Sequence, residues 1–483
     1  MTRAGGYGSP PSSLGTFGPV NSPIALPSRD DPLVAAASEA VGGPVGRLAA
    51  PGQGWWGPVR VALAVACIVL GLGVLADAGC RSDQWERRDD RALWTGLCYS
   101  DVPFLYRERG LSDGLVYRDV PVEYPVLTAA VIQASAYVAG TPTDAGDSSD
   151  AAAGQVLAES VRFYDVTAVL MGLAALVAVV ATARTVPRRP WDAMLVAASP
   201  VLLLTATINW DLLAVALTSL AILAWTRNRH ALAGLMIGLG AAAKLYPVLL
   251  LGPMLVLALR AADRRRALGD YLVTLGTAVA AWVAVNLPVY LWAPDGWRLF
   301  FTFNSERGAE LGSPWYALEL LVPGLLPDRI EPVLLTSAVV LLTVIVVLGF
   351  AAPEPPRLAQ LTFLAVAAFL LVNKVWSPQY ALWLLPLAVL ARPRWRDLLI
   401  WQAAEVLYFI AVWWHLATLY DSSAPLIGSR GYAAATVIRI AGLAWLAGVV
   451  VRDIMQPSSD PVRTFVDHGG VGRPGASARP ALP

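Results

Sequence analysis

Apolar blocks such as AMLVAASPVLLLTAT and PVLLTSAVVLLTVIVVLGF recur along most of the chain, and short basic runs separate them. Stretches that long and that free of charge are the mark of membrane-spanning helices. Composition agrees with this. Of 483 residues, 56% are hydrophobic and 15% are charged, against about 25% charged in an ordinary soluble domain. The chain therefore reads as an all-α polytopic membrane protein. Its net charge of +1 offers no basic footprint for nucleic acid.

Lys and Arg in short loops mark the cytoplasmic side of a membrane. The clusters RTVPRRP (184–190), RNRH (227–230), RAADRRR (260–266) and RPRWR (392–396) are assigned there. Hairpins between them carry other polar residues at their tips: NWD at 209–211, KLYP at 244–247 and NKVWSPQY at 373–380. These tips and the loop 293–329 then face outward. Residues 59–77 form the first transmembrane helix, 78–160 a large extracytoplasmic loop and 161–452 the remaining helix bundle. Residues 1–58 and 453–483, rich in small residues and proline, are expected to be disordered cytoplasmic tails. No cleavable signal peptide is expected, because the first apolar block begins so far into the chain. The weaker block YPVLTAAVIQASAYVAG (124–140) cannot cross without placing every later basic loop outside. It is expected to lie along the outer face, or to dip in and return. Roughly twelve crossings of the plasma membrane follow, with both termini inside.

Lys244 stands alone in ALAGLMIGLGAAAKLYPVLLLGPMLVLAL, with no other charge between His230 and Arg260. A lone ammonium at a bilayer centre costs about 2.5–3.5 kcal/mol on insertion scales. The run from Ala231 to Leu259 must go out and come back. Each arm then has about fourteen residues and reaches roughly 21 Å, short of the roughly 30 Å apolar core. The other two hairpins are similarly short. Three polar tips should therefore stop within the membrane, which is tolerable where they line a wet cavity or are buried in protein. Lys244 is expected in such a cavity, with Pro247 helping to break the helix. Snorkelling to the interface is the alternative for a lysine taken singly.

Carboxylates collect in LCYSDVPFLYRERGLSDGLVYRDVPVEYPVL (97–127). A carboxylate beside a membrane cavity can serve as general base to an attacking hydroxyl, and Asp101, Asp113, Asp119 and Glu123 all qualify on chemistry. Arg107, Arg109 and Arg118 are at hand to pair with them. Cys80 and Cys98 share this loop, on the oxidising side, and can pair or remain thiols. Cys67 is expected to be packing within the first span. In FFTFNSERGAELGSPWYALELL, Arg307 can hold a phosphate through two parallel hydrogen bonds or pair with Glu306 or Glu310. There is no HExxH, CxxC or Walker-type pattern, and no Asp-x-Asp in the outer loop; neither a metal nor a cofactor is expected.

The order of these segments resembles the GT-C superfamily of membrane glycosyltransferases. SDVPFLYRERGL…VYRDVPVEYPVL resembles the D…Y…G…Y…YPPL stretch of glycosyltransferase family 87, which includes actinobacterial mannosyltransferases that use polyprenyl-phosphate-mannose. GLGAAAKLYPVLLLGPML, RGAELGSPWYALELL and NKVWSPQYALWLLPLAVL are similar to recurrent segments of that family. The resemblance covers most of 60–450. It implies that Asp101 is the catalytic base of an inverting, metal-independent transfer, and that Tyr124 and Pro125 open a re-entrant helix. Val126 replaces the usual second proline. It also places the family's Lys-x-x-Pro on Lys244 and Pro247.

On this reading, Lys244, Arg307 and Lys374 are candidates to bind the donor phosphate. Tyr106, Arg107, Glu123, Tyr124 and Asn209 are expected to line the substrate cavity, as are Asp211, Glu310, Gln379 and Tyr380. Trp210, Trp315, Trp376 and Tyr380 are candidates for stacking on sugar faces, and His415 for a role at the phosphate or the interface. The implied partners are a polyprenyl-phosphate sugar donor, with mannose as the sugar, and a lipid or glycan acceptor. A transporter or flippase for a lipid or sugar-lipid is the alternative.

Overall fold

A computed structural model describes residues 24–26, 31–40, 55–86, 91–140, 149–327, 330–421 and 425–464. All regular structure among them is helical. Six helices are long and apolar enough to cross a membrane: Pro58–Ala76, Ala153–Thr185, Arg264–Trp292, Glu331–Ala351, Trp395–Tyr420 and Ser429–Met455. Shorter apolar helices stand between them, among them Asp211–Thr226, His230–Ala243, Leu358–Val372 and Pro378–Ala391. This is an all-α polytopic membrane architecture, as the sequence pattern implies.

Local sequence sets the helix starts. Ser100, Ser199 and Ser313 each turn a side-chain oxygen onto a free amide of the first turn, at 3.2 Å to Val102, 3.1 Å to Val201 and 3.0 Å to Tyr316. Pro58, Pro200 and Pro314 occupy first-turn positions where no amide proton is needed. The 14-residue helix His230–Ala243 ends at Lys244, which is extended, and Pro247 lies in the 3-10 turn that follows. This helix packs closely on Arg264–Trp292. A Cβ at Gly234 or Gly238 would meet the backbone of Thr274 or Ala278, so small residues set the distance between the two axes.

The described parts of the 78–160 loop pack onto the bundle. Cys80 and Cys98 are joined as a disulfide, with Cα atoms 6.0 Å apart. Arg107 donates to the carbonyls of Gln84, at 2.9 Å, and Trp85. The helix Val126–Ala139 has 14 residues, about 21 Å of rise, too little to span. Thr128 on it donates to the carbonyl of Ala243 at 2.8 Å, which sets the helix beside Lys244.

Three expectations need correction. The tail 1–58 holds a helix, Pro32–Ala40, and the Asp31 carboxylate before it accepts from the Trp395 amide at 3.0 Å. The tail from 453 is docked as far as residue 464, because Asp460 pairs with Arg357 at 2.8 Å and caps the short turn after it. The rest of both segments lies outside the described residues. One helix runs from Ser149 to Thr185, across the position where the sequence reading divides loop from bundle. Cys67 is exposed on its helix, not packed.

These cysteines give a direct check. Denatured, unreduced protein should take up one alkyl group, on Cys67, and reduced protein should take up three, read by intact mass. Three from the start would remove the disulfide.

Candidate active site

The three hairpin tips meet. Asp211 opens its helix with its side chain fully buried, and Lys244 Nζ lies 3.2 Å from Oδ1 and 3.3 Å from Oδ2. Trp383, on the third hairpin, donates its indole N–H to Oδ1 at 2.6 Å. A buried carboxylate is costly unless its lone pairs are filled, and here two other hairpins fill them. The Lys244 ammonium also lies 5.8 Å from the ring centre of Tyr124 and 5.6 Å from that of Tyr380, within range of a cation–aromatic attraction.

Asp101 stands at the first turn of the helix Asp101–Glu108. Its amide donates to the Ile208 carbonyl at 2.9 Å, and Ser100 Oγ donates to the Thr207 carbonyl at 2.7 Å. The loop is thereby bolted to the NWD hairpin. Among the donors to the Asp101 carboxylate are the Tyr99 hydroxyl at 2.8 Å on Oδ1 and Asn209 Nδ2 at 2.9 Å on Oδ2. Asn209 is itself oriented, because its Oδ1 accepts from the Trp210 amide at 2.6 Å. The same Nδ2 reaches the Tyr124 hydroxyl at 3.0 Å. Burial first, and then the charges of Asp101 and Glu123, push the Tyr124 phenol well above its ordinary value. Its hydroxyl therefore keeps its proton.

A cavity of about 350 Å³ opens over these groups, the size of a small-ligand site. Asp101, Glu123, Tyr124, Asn209, Lys244, Arg307, Gln379 and Tyr380 line it, as the sequence reading expects. Glu108, Arg109, Tyr99, Ser377 and the Phe300, Phe303 and Asn304 side chains of the helix Pro294–Glu306 complete the wall. Arg109 pairs with Glu123 at 2.9 Å. Arg307 is bidentate on Glu310, with Nε 2.7 Å from Oε1 and Nη2 on Oε2. Arg307 thus pairs with Glu310 and also lines the cavity.

Other expected site residues are elsewhere. Lys374 does not line the cavity. Its ammonium donates to the carbonyl of Ser305 at 2.9 Å, at the C-terminal end of the helix Pro294–Glu306, where a cation satisfies free carbonyls. Tyr106 is buried and donates to Glu159 at 2.9 Å, and Arg107 holds the loop backbone as described. Asp211 and Glu310 sit behind the wall as partners of the two cations. Asp119 closes a turn on the Leu115 amide at 3.0 Å, and Asp113 is likewise absent from the cavity wall. Trp210 and Trp376 are buried, and Trp315 donates to the Val372 carbonyl at 3.0 Å, so of the stacking candidates Tyr380 alone lines the cavity. His415 is buried against the Tyr432 ring, 4.4 Å between centres.

Sequence reasoning missed Tyr99, Trp383 and the pair Arg439–Glu405. Arg439 is fully buried, 2.7 Å from Glu405, and donates to the carbonyls of Trp376 at 2.6 Å and Ser377 at 3.2 Å. It clamps the third tip from behind. A lone arginine within an apolar helix was a signal that could have found it.

An all-α membrane bundle whose cavity gathers a carboxylate, two cations and aromatic rings offers side chains of the kinds that group transfer uses. The sequence pattern of glycosyltransferase family 87 matches residues 155–373. That match supports assigning the chain to this family, with a GT-C-like architecture, and indicates a membrane glycosyltransferase. Asn209, Asp211, Lys244 and Arg307 lie inside the matched segment; Asp101, Glu123 and Gln379 lie outside it. No curated protein matches the chain.

The Asp211–Lys244 pair should show coupling. Removing one partner of a buried pair leaves an uncompensated charge and costs about 3–5 kcal/mol. Asp211→Asn and Lys244→Met should each lower the unfolding midpoint in detergent. The double variant should lose clearly less than the two losses added; simple additivity would show that the pair does not hold the tips.

Proposed function

We propose that the chain transfers a sugar, mannose in the first instance, from a polyprenyl-phosphate donor to a hydroxyl of an extracytoplasmic glycolipid or cell-envelope glycan. The observation that carries this reading is the convergence on one cavity of Asp101 from the loop, Lys244 from the second hairpin and Arg307 from the 293–329 segment. The acceptor oxygen attacks the anomeric carbon while Asp101 takes its proton. The bond from that carbon to the phosphate oxygen breaks, and the electron pair leaves with the lipid phosphate. Attack opposite the leaving group inverts the anomeric centre. Lys244 and Arg307 lie where negative charge grows on the phosphate, the largest charge developed in the transition state. None of these steps requires a metal.

Tyr99 and Asn209 give the Asp101 carboxylate its orientation, with a donor on each oxygen. An apolar slot beside the cavity, lined in part by Leu245, Trp282, Phe300 and Phe301, shares Tyr124, Pro125 and Phe300 with it. With the basic loops in the cytoplasm, the cavity opens to the outer leaflet of the plasma membrane and both termini lie inside.

Asp101→Asn tests the base, because an amide cannot accept the proton. Transfer from labelled polyprenyl-phosphate-mannose in membranes should fall by about 10²–10⁴-fold, with the elution profile of the purified variant unchanged. Equal transfer by variant and wild type would take Asp101 out of the mechanism. Uptake of the labelled lipid by vesicles with no new glycosidic product would mean transport instead.

A further inference from the structure

Two hydrogen-bond acceptors on the cavity wall have no donor. Glu123 gives one carboxylate oxygen to Arg109 at 2.9 Å, and its other oxygen, Oε2, is buried without a partner. Gln379 is 5% exposed, and its Oε1 is likewise buried and unpartnered. Buried polar groups in folded proteins are nearly always bonded, and each exception asks what fills it. Both residues line the same cavity as Asp101 and Lys244.

The chemistry of the two atoms narrows the answer. A carboxylate oxygen only accepts, so Glu123 Oε2 repels a phosphate and suits an O–H donor. Position narrows it further. Glu123 precedes Tyr124, whose hydroxyl shares the Asn209 amide with the base. Gln379 precedes Tyr380, whose ring faces the Lys244 ammonium. One orphan acceptor thus flanks the base and the other flanks the cation. A sugar ring held between Asp101 and the lipid phosphate would present hydroxyls to both.

We infer that Glu123 and Gln379 are the specificity-determining pair that reads hydroxyl groups of the transferred sugar. This rests on the donor reading given above, and it adds which atoms distinguish a polyol from a bare lipid phosphate. Leaving such acceptors empty is what makes a polar pocket reject a ligand that lacks the matching hydroxyl.

The test compares two lipids on purified full-length protein in nanodiscs: polyprenyl phosphate alone and polyprenyl-phosphate-mannose. Glu123→Gln and Gln379→Leu should each weaken binding of the mannosyl lipid by about tenfold or more and leave binding of the bare phosphate within about twofold. Lys244→Met should weaken both. Among mannosyl lipids lacking one ring hydroxyl at a time, one should bind wild type and the Glu123 variant equally, because the lost partner is the same. Retained binding of the bare phosphate also shows that a variant is folded. Variants that match wild type on the mannosyl lipid, or that lose both lipids alike, would overturn the assignment. Wild type that binds neither lipid would instead overturn the donor reading beneath it, a result the first two cannot mimic.

Discussion

The buried carboxylate of Asp211 is the constraint on which the rest of the site depends. It has no exposure, and it belongs to the first hairpin while its donors, Lys244 and Trp383, belong to the second and third. Such a group is tolerated only when it is fully satisfied. Each hairpin therefore has to stop where its tip can reach Asp211, and this fixes all three at one depth. Short arms leave room above the tips, and that room is the cavity. Tyr246 and Tyr380 extend the junction by stacking on the Trp383 ring, 4.5 and 4.1 Å between centres.

Asp101 reaches this assembly by a separate route. Asp211 takes hydrogen bonds from Lys244 and Trp383, and the helix Asp101–Glu108 is placed by other contacts. Its register comes from the hydrogen bonds of Ser100 and Asp101 to the backbone of Thr207 and Ile208, just before Asn209. The first hairpin thus holds two of the cavity's charged groups, with Asn209 on Asp101 and Asp211 on Lys244. On the opposite wall, Arg439 clamps the carbonyls of Trp376 and Ser377, and the loop above is pinned by the Glu310 amide on the Lys374 carbonyl at 2.8 Å. Gly312, at φ +81°, allows that loop to lie against Trp376, where a side chain would collide with the carbonyl. Groups set on locked backbone need no reorganisation when charge develops.

What the sequence made legible follows from which forces act at a distance along the chain. Lys244 could be placed because arm length and apolar surroundings left a lysine few options. Residue type alone could not separate Lys374 from Lys244, since both are cations at hairpin tips. Only packing showed that Lys374 caps a helix C-terminus. Tyr106 and Arg107 misled for the same reason. They share a helix with Asp101, but 100° per residue turns them toward Glu159 and the 84–85 backbone. The helix Pro32–Ala40 sits among small residues with weak periodicity, and it is the docking of Asp31 onto Trp395 that ties it to the bundle. The disulfide was open from spacing and became definite only with the loop folded.

Both cations that face the cavity already have a carboxylate partner, Asp211 for Lys244 and Glu310 for Arg307. For the proposed reaction, in which a lipid phosphate is the leaving group, this bears on turnover as much as on rate. A bare ammonium and guanidinium in a low-dielectric cavity would hold the product phosphate strongly and slow its release. Paired, each keeps unspent N–H donors for the leaving oxygen while its long-range field is largely cancelled. On the proposed reaction, the stabilisation then acts at hydrogen-bond range and grows as the departing oxygen gains charge. Interactions that strengthen only as charge develops raise the rate of the chemical step without deepening the ground state, and acid-backed cations are suited to supply them.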